Sequence, residues 1–137
     1  MTTEFVYNFI SKNKYAVLST VTKDGVPEAA LVGFAISEDL QIVFDTVSTS
    51  RKYQNLIINP AIAFVIGWEN EQTMQYEGVA KIPGEIELNK LLEIYFKVFP
   101  DGRERRETWK DIVYFSVKPK WIRFSDFNNQ QIEELNF

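Results

Sequence analysis

The sequence predicts a mainly β (α+β) fold: an antiparallel barrel of about seven strands, closed or nearly closed, with helices packed on its outside. Three observations carry this prediction. Short apolar segments with period-two alternation recur along the chain, punctuated by turn signals such as Asp24-Gly25 and Pro83-Gly84. Helical periodicity appears in only a few segments, each lying before or between the strand patterns. Aromatic content is high, with 11 Phe, which suits a β-rich core or a flat ligand. At 137 residues the chain reads as a single domain over 1–137, large enough to bury a real core.

Thr2 and Thr3 can cap a first helix, with Phe5, Val6, Phe9 and Ile10 at helical spacing and an end near Asn13. Residues 15–22 (YAVLSTVT) alternate as a strand. Lys23-Asp24-Gly25-Val26 turns the chain, and residues 28–36 (EAALVGFAI) return as a second strand rich in small side chains. Ala29, Ala30, Gly33 and Ala35 leave room either for something bulky against the backbone or for close packing of a helix. Residues 40–45 form the third strand, and a short helix follows, ending before Pro60. Residues 61–68 (AIAFVIGW) read as an apolar strand buried on both faces. Residues 73–82 form the next strand, weakened or bulged at Gly78. Residues 87–99 are helical, with Leu88, Leu91, Leu92, Tyr95, Phe96 and Phe99 as the inward stripe. Residues 100–110 mix both charge signs and read as a solvated surface, with Arg105 expected to matter little. Strands at 112–117 and 121–124 close the domain, and the tail from 128 onward is either frayed or docked.

Composition excludes several chemistries. The chain has no Cys and no His, so disulfides, thiol catalysis, imidazole acid–base chemistry, Ser-His triads and Cys/His metal centres all fall away; no metal site is expected. If the protein is an enzyme, an organic cofactor or the substrate carries the chemistry. A net charge of −4 provides no basic field for nucleic acid. The first residues do not resemble a signal peptide, and the apolar run at 61–67 is too short to cross a bilayer. The expectation is a cytoplasmic protein with no nucleic-acid or membrane partner.

The most informative stretch lies between the third strand and the short helix: Thr46-Val-Ser-Thr-Ser-Arg51-Lys52. Ser48, Thr49 and Ser50 are all good helix caps. The first turn of a helix favours acids, yet here it carries Arg51 and Lys52. Free N–H groups, hydroxyls and two cations at one point compose an anion site, with phosphate the leading candidate. The alternative is a solvated pair of cations on an exposed turn.

Three segments together resemble the pyridoxamine 5′-phosphate oxidase-like family of FMN-binding split barrels. They are Ala16-Val-Leu-Ser-Thr-Val with Asp24-Gly25-Val-Pro27; Phe44-Asp-Thr46 with Ser50-Arg51-Lys52 and Asn55-Leu56 running on to Asn59-Pro60-Ala61; and Gln75-Tyr-Glu-Gly78. The order of elements matches over nearly the whole chain. The resemblance implies an antiparallel split β-barrel that forms a homodimer, with FMN at the interface. It implies that Ser50, Arg51 and Lys52 hold the FMN phosphate, helped by Thr46 and Thr49. It places the flavin ring along residues 30–34, including Leu31, Val32 and Gly33. It assigns Gln75 to the partner subunit's flavin, and Trp121 and Arg123 to the flavin edge. Two departures stand out. Many relatives have an Arg on the second strand where this chain has Glu28-Ala29-Ala30. The C-terminal Arg-x-His motif of true pyridoxamine phosphate oxidases is absent, so that particular reaction is not expected.

The function implied by the resemblance is flavin-mediated electron or hydride transfer on an unknown small-molecule substrate. A non-enzymatic flavin carrier or redox sensor fits the same residues. Haem binding and a deazaflavin-dependent reductase are further variants on the same barrel.

Overall fold

A computed structural model describes residues 1–137. Helix α1 (Thr3–Ile10) is capped by Thr2, whose hydroxyl accepts from the Phe5 N–H at 3.1 Å. Strands β1 (Tyr15–Val21) and β2 (Pro27–Gly33) form the Asp-Gly hairpin, with Gly25 in the left-handed region at φ 83°. A break at Phe34 separates β2 from β3 (Ala35–Ile36). β4 (Ile42–Val47), α2 (Arg51–Ile58) and β5 (Ala61–Ile66) follow. A short 3₁₀ turn (Glu69–Glu71) leads into β6 (Gln72–Lys81). Next come α3 (Glu85–Val98), α4 (Gly102–Thr108), β7 (Ile112–Asp126) and β8 (Gln131–Asn136).

All strands join one sheet in the order β2-β1-β5-β6-β7-β4-β3, with β8 paired to β7. The two ends of that order, β2 and β3, are consecutive in the chain, so the sheet curls until its ends meet. The Phe34 N–H donates to the Lys14 carbonyl at 3.0 Å, which extends the β1–β2 ladder by one residue to the point where the chain crosses into β3. Every pairing is antiparallel. Counting β2 and β3 as one interrupted strand gives the seven expected, but two of the seven differ from expectation. Segments 112–117 and 121–124 form the single long strand β7, and the tail supplies β8.

The physical reason for the first difference is a bulge. The β6–β7 register slips between Glu77, which faces Trp121, and Gly78, which faces Pro119, so Lys120 is the extra residue. Pro119 is accommodated there without breaking the strand. A Cβ at Gly78 would run into the Lys118 carbonyl oxygen, so only glycine allows this approach. The tail is ordered by Asp126. One of its carboxylate oxygens accepts the N–H groups of Asn128 and Asn129, at 3.0 and 3.1 Å, and turns the chain back along β7.

The barrel interior is filled by Leu18, Phe44, Phe64, Met74, Tyr76, Phe115 and Ile122, with Phe44 and Phe115 stacked at 5.6 Å between centroids. The Tyr76 hydroxyl lies between the Leu40 and Val117 carbonyl oxygens, at 2.8 and 2.9 Å, which satisfies a buried polar group. α1 sends Val6 and Ile10 into this cluster. α3 packs Leu91, Leu92, Tyr95 and Phe96 on the outer surface of Ala35, Val43 and Tyr114. No helix is long and apolar enough to cross a membrane.

Two further expectations are corrected. β5 is buried on one face only: Ile62, Phe64 and Ile66 point inward while Ala61, Ala63 and Val65 face outward. Residues 100–110 are not simply a solvated loop. Arg105 turns into the fold, 18% exposed, and its guanidinium bonds Asp45 at 3.1 Å and Asp101 at 2.6 Å. The Tyr95 hydroxyl oxygen accepts from the same guanidinium at 3.3 Å, so the half-buried cation is met by hydrogen-bond acceptors as well as by charge.

Candidate functional site

The chain between β4 and α2 builds an anion-receptive corner. Ser50 caps α2: its backbone is extended, and its hydroxyl oxygen accepts from the Tyr53 N–H at 3.1 Å. Thr46 projects from β4 and donates its hydroxyl to the same oxygen at 2.8 Å. The Ser50 proton is therefore left to donate outward. The N–H groups of Arg51 and Lys52 lie in the first turn and have no intrahelical acceptor. Thr49 is exposed on the turn just before the cap. No acid stands in the first turn of α2.

A cavity of about 250 Å³ opens beside this corner, lined by Leu18, Thr20, Glu28, Ala29, Ala30, Arg51 and Lys52. Its wall on one side is β2, which pairs only with β1 and leaves its other edge without a strand partner. Unpaired strand-edge amides and carbonyls thus lie next to two cations and a helix N-terminus. One group opposes the rest. Glu28 sits on the inward face of β2, directly opposite Thr20, and its side chain is 13% exposed. The Asn55 amide donates to Glu28 at 2.6 Å and to the Thr20 hydroxyl at 3.0 Å. Arg51, itself almost entirely in solvent, forms an ion pair with the same carboxylate. Lys52 makes no ion pair. The corner therefore holds two cations and one carboxylate.

All but one of the other predicted residues lie on the outer face of the sheet. The strand registers align Leu31, Val17, Val65, Gln75, Arg123 and Glu134 in one row across five strand pairings. Ala29, Ser19, Ala63, Glu77 and Trp121 form the next row. Leu31, Gln75 and Arg123 thus share a row, and Trp121 is their neighbour. Three strand spacings separate Leu31 from Gln75, about 14 Å. Arg123 is held by Glu134, its Nε donating at 2.8 Å, and the Trp121 indole N–H donates to the other oxygen at 3.2 Å. These donors hold the Glu134 carboxyl below its ordinary range, Arg123 contributing most. Val32 points inward and is buried. Gly33 faces outward, and the Phe99 ring fills the space where its side chain would be, with a Cβ there only 2.7 Å from the ring. The room at Gly33 serves helix packing.

Sequence reasoning missed the Thr20–Glu28–Asn55 cluster. The signal was present in the hairpin: counting back from Asp24-Gly25 puts Glu28 opposite Thr20, on the face of Leu18. It also missed the network behind Thr46. Asp45 accepts from the Tyr95 hydroxyl at 2.8 Å and from Arg105 at 3.1 Å, which pins the end of β4 to α3 and α4. Burial, reinforced by Asp45, pushes the Tyr95 hydroxyl well above its ordinary pKa, so it stays a proton donor.

Comparison with solved structures finds the same fold repeatedly. A haem-binding protein from Mycobacterium smegmatis superposes with a TM-score of 0.86 at 16% identity, over 98% of this chain and 57% of that one. The chain therefore spans little more than half the length of that protein. General stress protein 26 from Bacillus anthracis gives 0.72 at 23% identity, covering 97% and 98% of the two chains. HutZ, a haem storage protein from Vibrio cholerae, gives 0.71 at 19% identity, covering 87% and 91%. At such identities these likenesses establish the fold alone. A search of curated protein sequences found no match. The profile of the pyridoxamine 5′-phosphate oxidase family, in contrast, matches residues 2–126, which takes in the α2 corner and every strand but β8. The chain belongs to the pyridoxamine 5′-phosphate oxidase-like family.

Proposed function

We propose that the chain is a single-domain, FMN-binding oxidoreductase that works as a homodimer, with the flavin in the seam between two copies. The observation that carries this reading is the α2 corner: two cations, an outward hydroxyl proton and free first-turn amides beside an unpaired strand edge. That donor set fits a phosphate ester, and the open edge of β2 fits the hydrogen-bonding rim of a flat heterocycle. When bound, FMN supplies hydride or electron transfer to and from a small substrate.

The side chains of this protein have binding and orienting roles. Lys52 and Arg51 neutralise the phosphate, while Ser50, held by Thr46, donates to it. The Asp45–Tyr95–Arg105 network keeps Thr46 in place. The outer face of β2, β1 and β5 is apolar and open, with Leu31 64% and Val65 39% exposed. A second copy laid on that face excludes water and brings its own Gln75 and Arg123 toward Leu31, which they cannot reach within one chain.

A flavin carrier or sensor that does not turn over is the competing reading. The Glu28 carboxylate, which weakens the corner's hold on an anion, favours it. Haem, named for two of the similar structures, would need an iron ligand other than His, because this chain has none. The test is titration of purified protein with FMN, followed by flavin fluorescence, then addition of NAD(P)H. Saturable binding at one flavin per chain with many turnovers supports the oxidoreductase. Binding without turnover supports the carrier, and no binding overturns both.

A further inference from the structure

We propose that Glu28 is a resident counter-ion for the phosphate corner: a specificity residue that sets how strongly the site holds a doubly charged phosphate. The inference rests on the flavin reading above. Arg51 and Asn55 lie four residues apart and share one face of α2. Both reach the same carboxylate across the split between α2 and β2. Asn55, buried and itself held by the buried Thr20 hydroxyl, fixes Glu28 from behind, whereas Arg51 is a long arm in solvent.

A phosphate at the start of α2 draws Arg51 away from Glu28, and the carboxylate then faces the phosphate within one cavity, still tied to Asn55. The like charges repel in a half-buried setting where screening is weak. Wild-type protein therefore gains less from the phosphate ester, relative to the uncharged riboflavin, than two unopposed cations would give. The ring contributes to both ligands equally, so the difference between them isolates the corner.

The experiment compares wild type with Glu28→Gln, which keeps an acceptor for Asn55 and removes the charge. Dissociation constants for FMN and riboflavin are read by flavin fluorescence, and the melting temperature of the ligand-free protein is read in rising inorganic phosphate. FMN should tighten about tenfold or more in Glu28→Gln, while riboflavin changes by less than about twofold. Inorganic phosphate should raise the melting temperature of Glu28→Gln at concentrations that leave wild type unmoved. Adding Arg51→Ala to Glu28→Gln should erase most of the gain. If Glu28→Gln does not fold, Glu28→Ala should show the same phosphate-dependent gain. Unchanged or weaker FMN binding in a folded variant, or equal tightening of riboflavin, overturns the proposal. Failure of every protein to bind either flavin overturns the flavin reading instead, and the phosphate-dependent melting shift still decides the role of Glu28.

Discussion

Lys52 and Arg51 stand side by side at the start of α2, yet their replacements should not be equivalent. Arg51 is already committed to Glu28, and its side chain is 84% exposed. Its charge is both partly neutralised and well screened, so transferring it to a phosphate gains only the difference between two charge-assisted contacts. Lys52 is less exposed and has no carboxylate partner, so it gains a whole one. A charge-assisted hydrogen bond is worth about 1.5–3 kcal/mol. Lys52→Ala should therefore weaken FMN binding roughly ten- to a hundredfold, and Arg51→Ala less than about tenfold. Arg51→Ala also leaves Glu28 with only Asn55, which should lower stability by about 1 kcal/mol for so exposed a pair. The assay is fluorescence titration with FMN, paired with riboflavin, whose affinity neither change should alter. Equal losses for both substitutions, or losses shared by riboflavin, would refute the geometry assigned to the corner.

Arg105→Ala removes the charge partner of a nearly buried Asp45, 14% exposed, and should cost about 2–3 kcal/mol, at or just below the usual range for breaking a buried pair because the Tyr95 hydroxyl still donates to the carboxylate. For a domain of this size that corresponds to a drop of roughly 6–12 °C in melting temperature, measured by calorimetry. Leu31→Asp places a charge in the centre of the open apolar face and should leave a monomer by light scattering, with a melting temperature close to that of wild type. Glu134, Glu133 and Asp126 all have folded-state pKa values lowered by hydrogen bonds, Glu134 chiefly through Arg123. Depressed carboxylates stabilise above their unfolded values, so β8 should loosen as pH falls below about 4 and onward through the lower folded values. Hydrogen exchange of the β8 amides should report this, and Glu134→Gln should flatten part of the pH dependence.

Strong local signals made much of the fold legible. The hairpin at Asp24-Gly25 and the stop at Pro60 fall where side-chain chemistry dictates, and of the three candidate caps Ser48, Thr49 and Ser50 the structure uses the last. The misses have physical causes. Pro119 ordinarily ends a strand, and nothing local to it shows that Lys120 bulges opposite Gly78 forty residues away. β8 has little apolar content and is held by pairing with β7 and by the Asp126 turn, both long-range or geometric effects. Arg105 looked solvated because the charges around it are mixed. Its burial depends on Asp45, sixty residues earlier. In the site, local chemistry announced Ser50, Arg51 and Lys52, whereas the opposition of Glu28 appears only when the hairpin register is laid against the face of α2.

Stoichiometric titration of purified protein with FMN, with oligomeric state followed by light scattering in the same samples, tests the central claim most directly. The expected result is a dimer that takes up two flavins and quenches their fluorescence, with flavin uptake weakened by Lys52→Ala and dimerisation by Leu31→Asp. A monomer that leaves FMN free in solution at every concentration would contradict it.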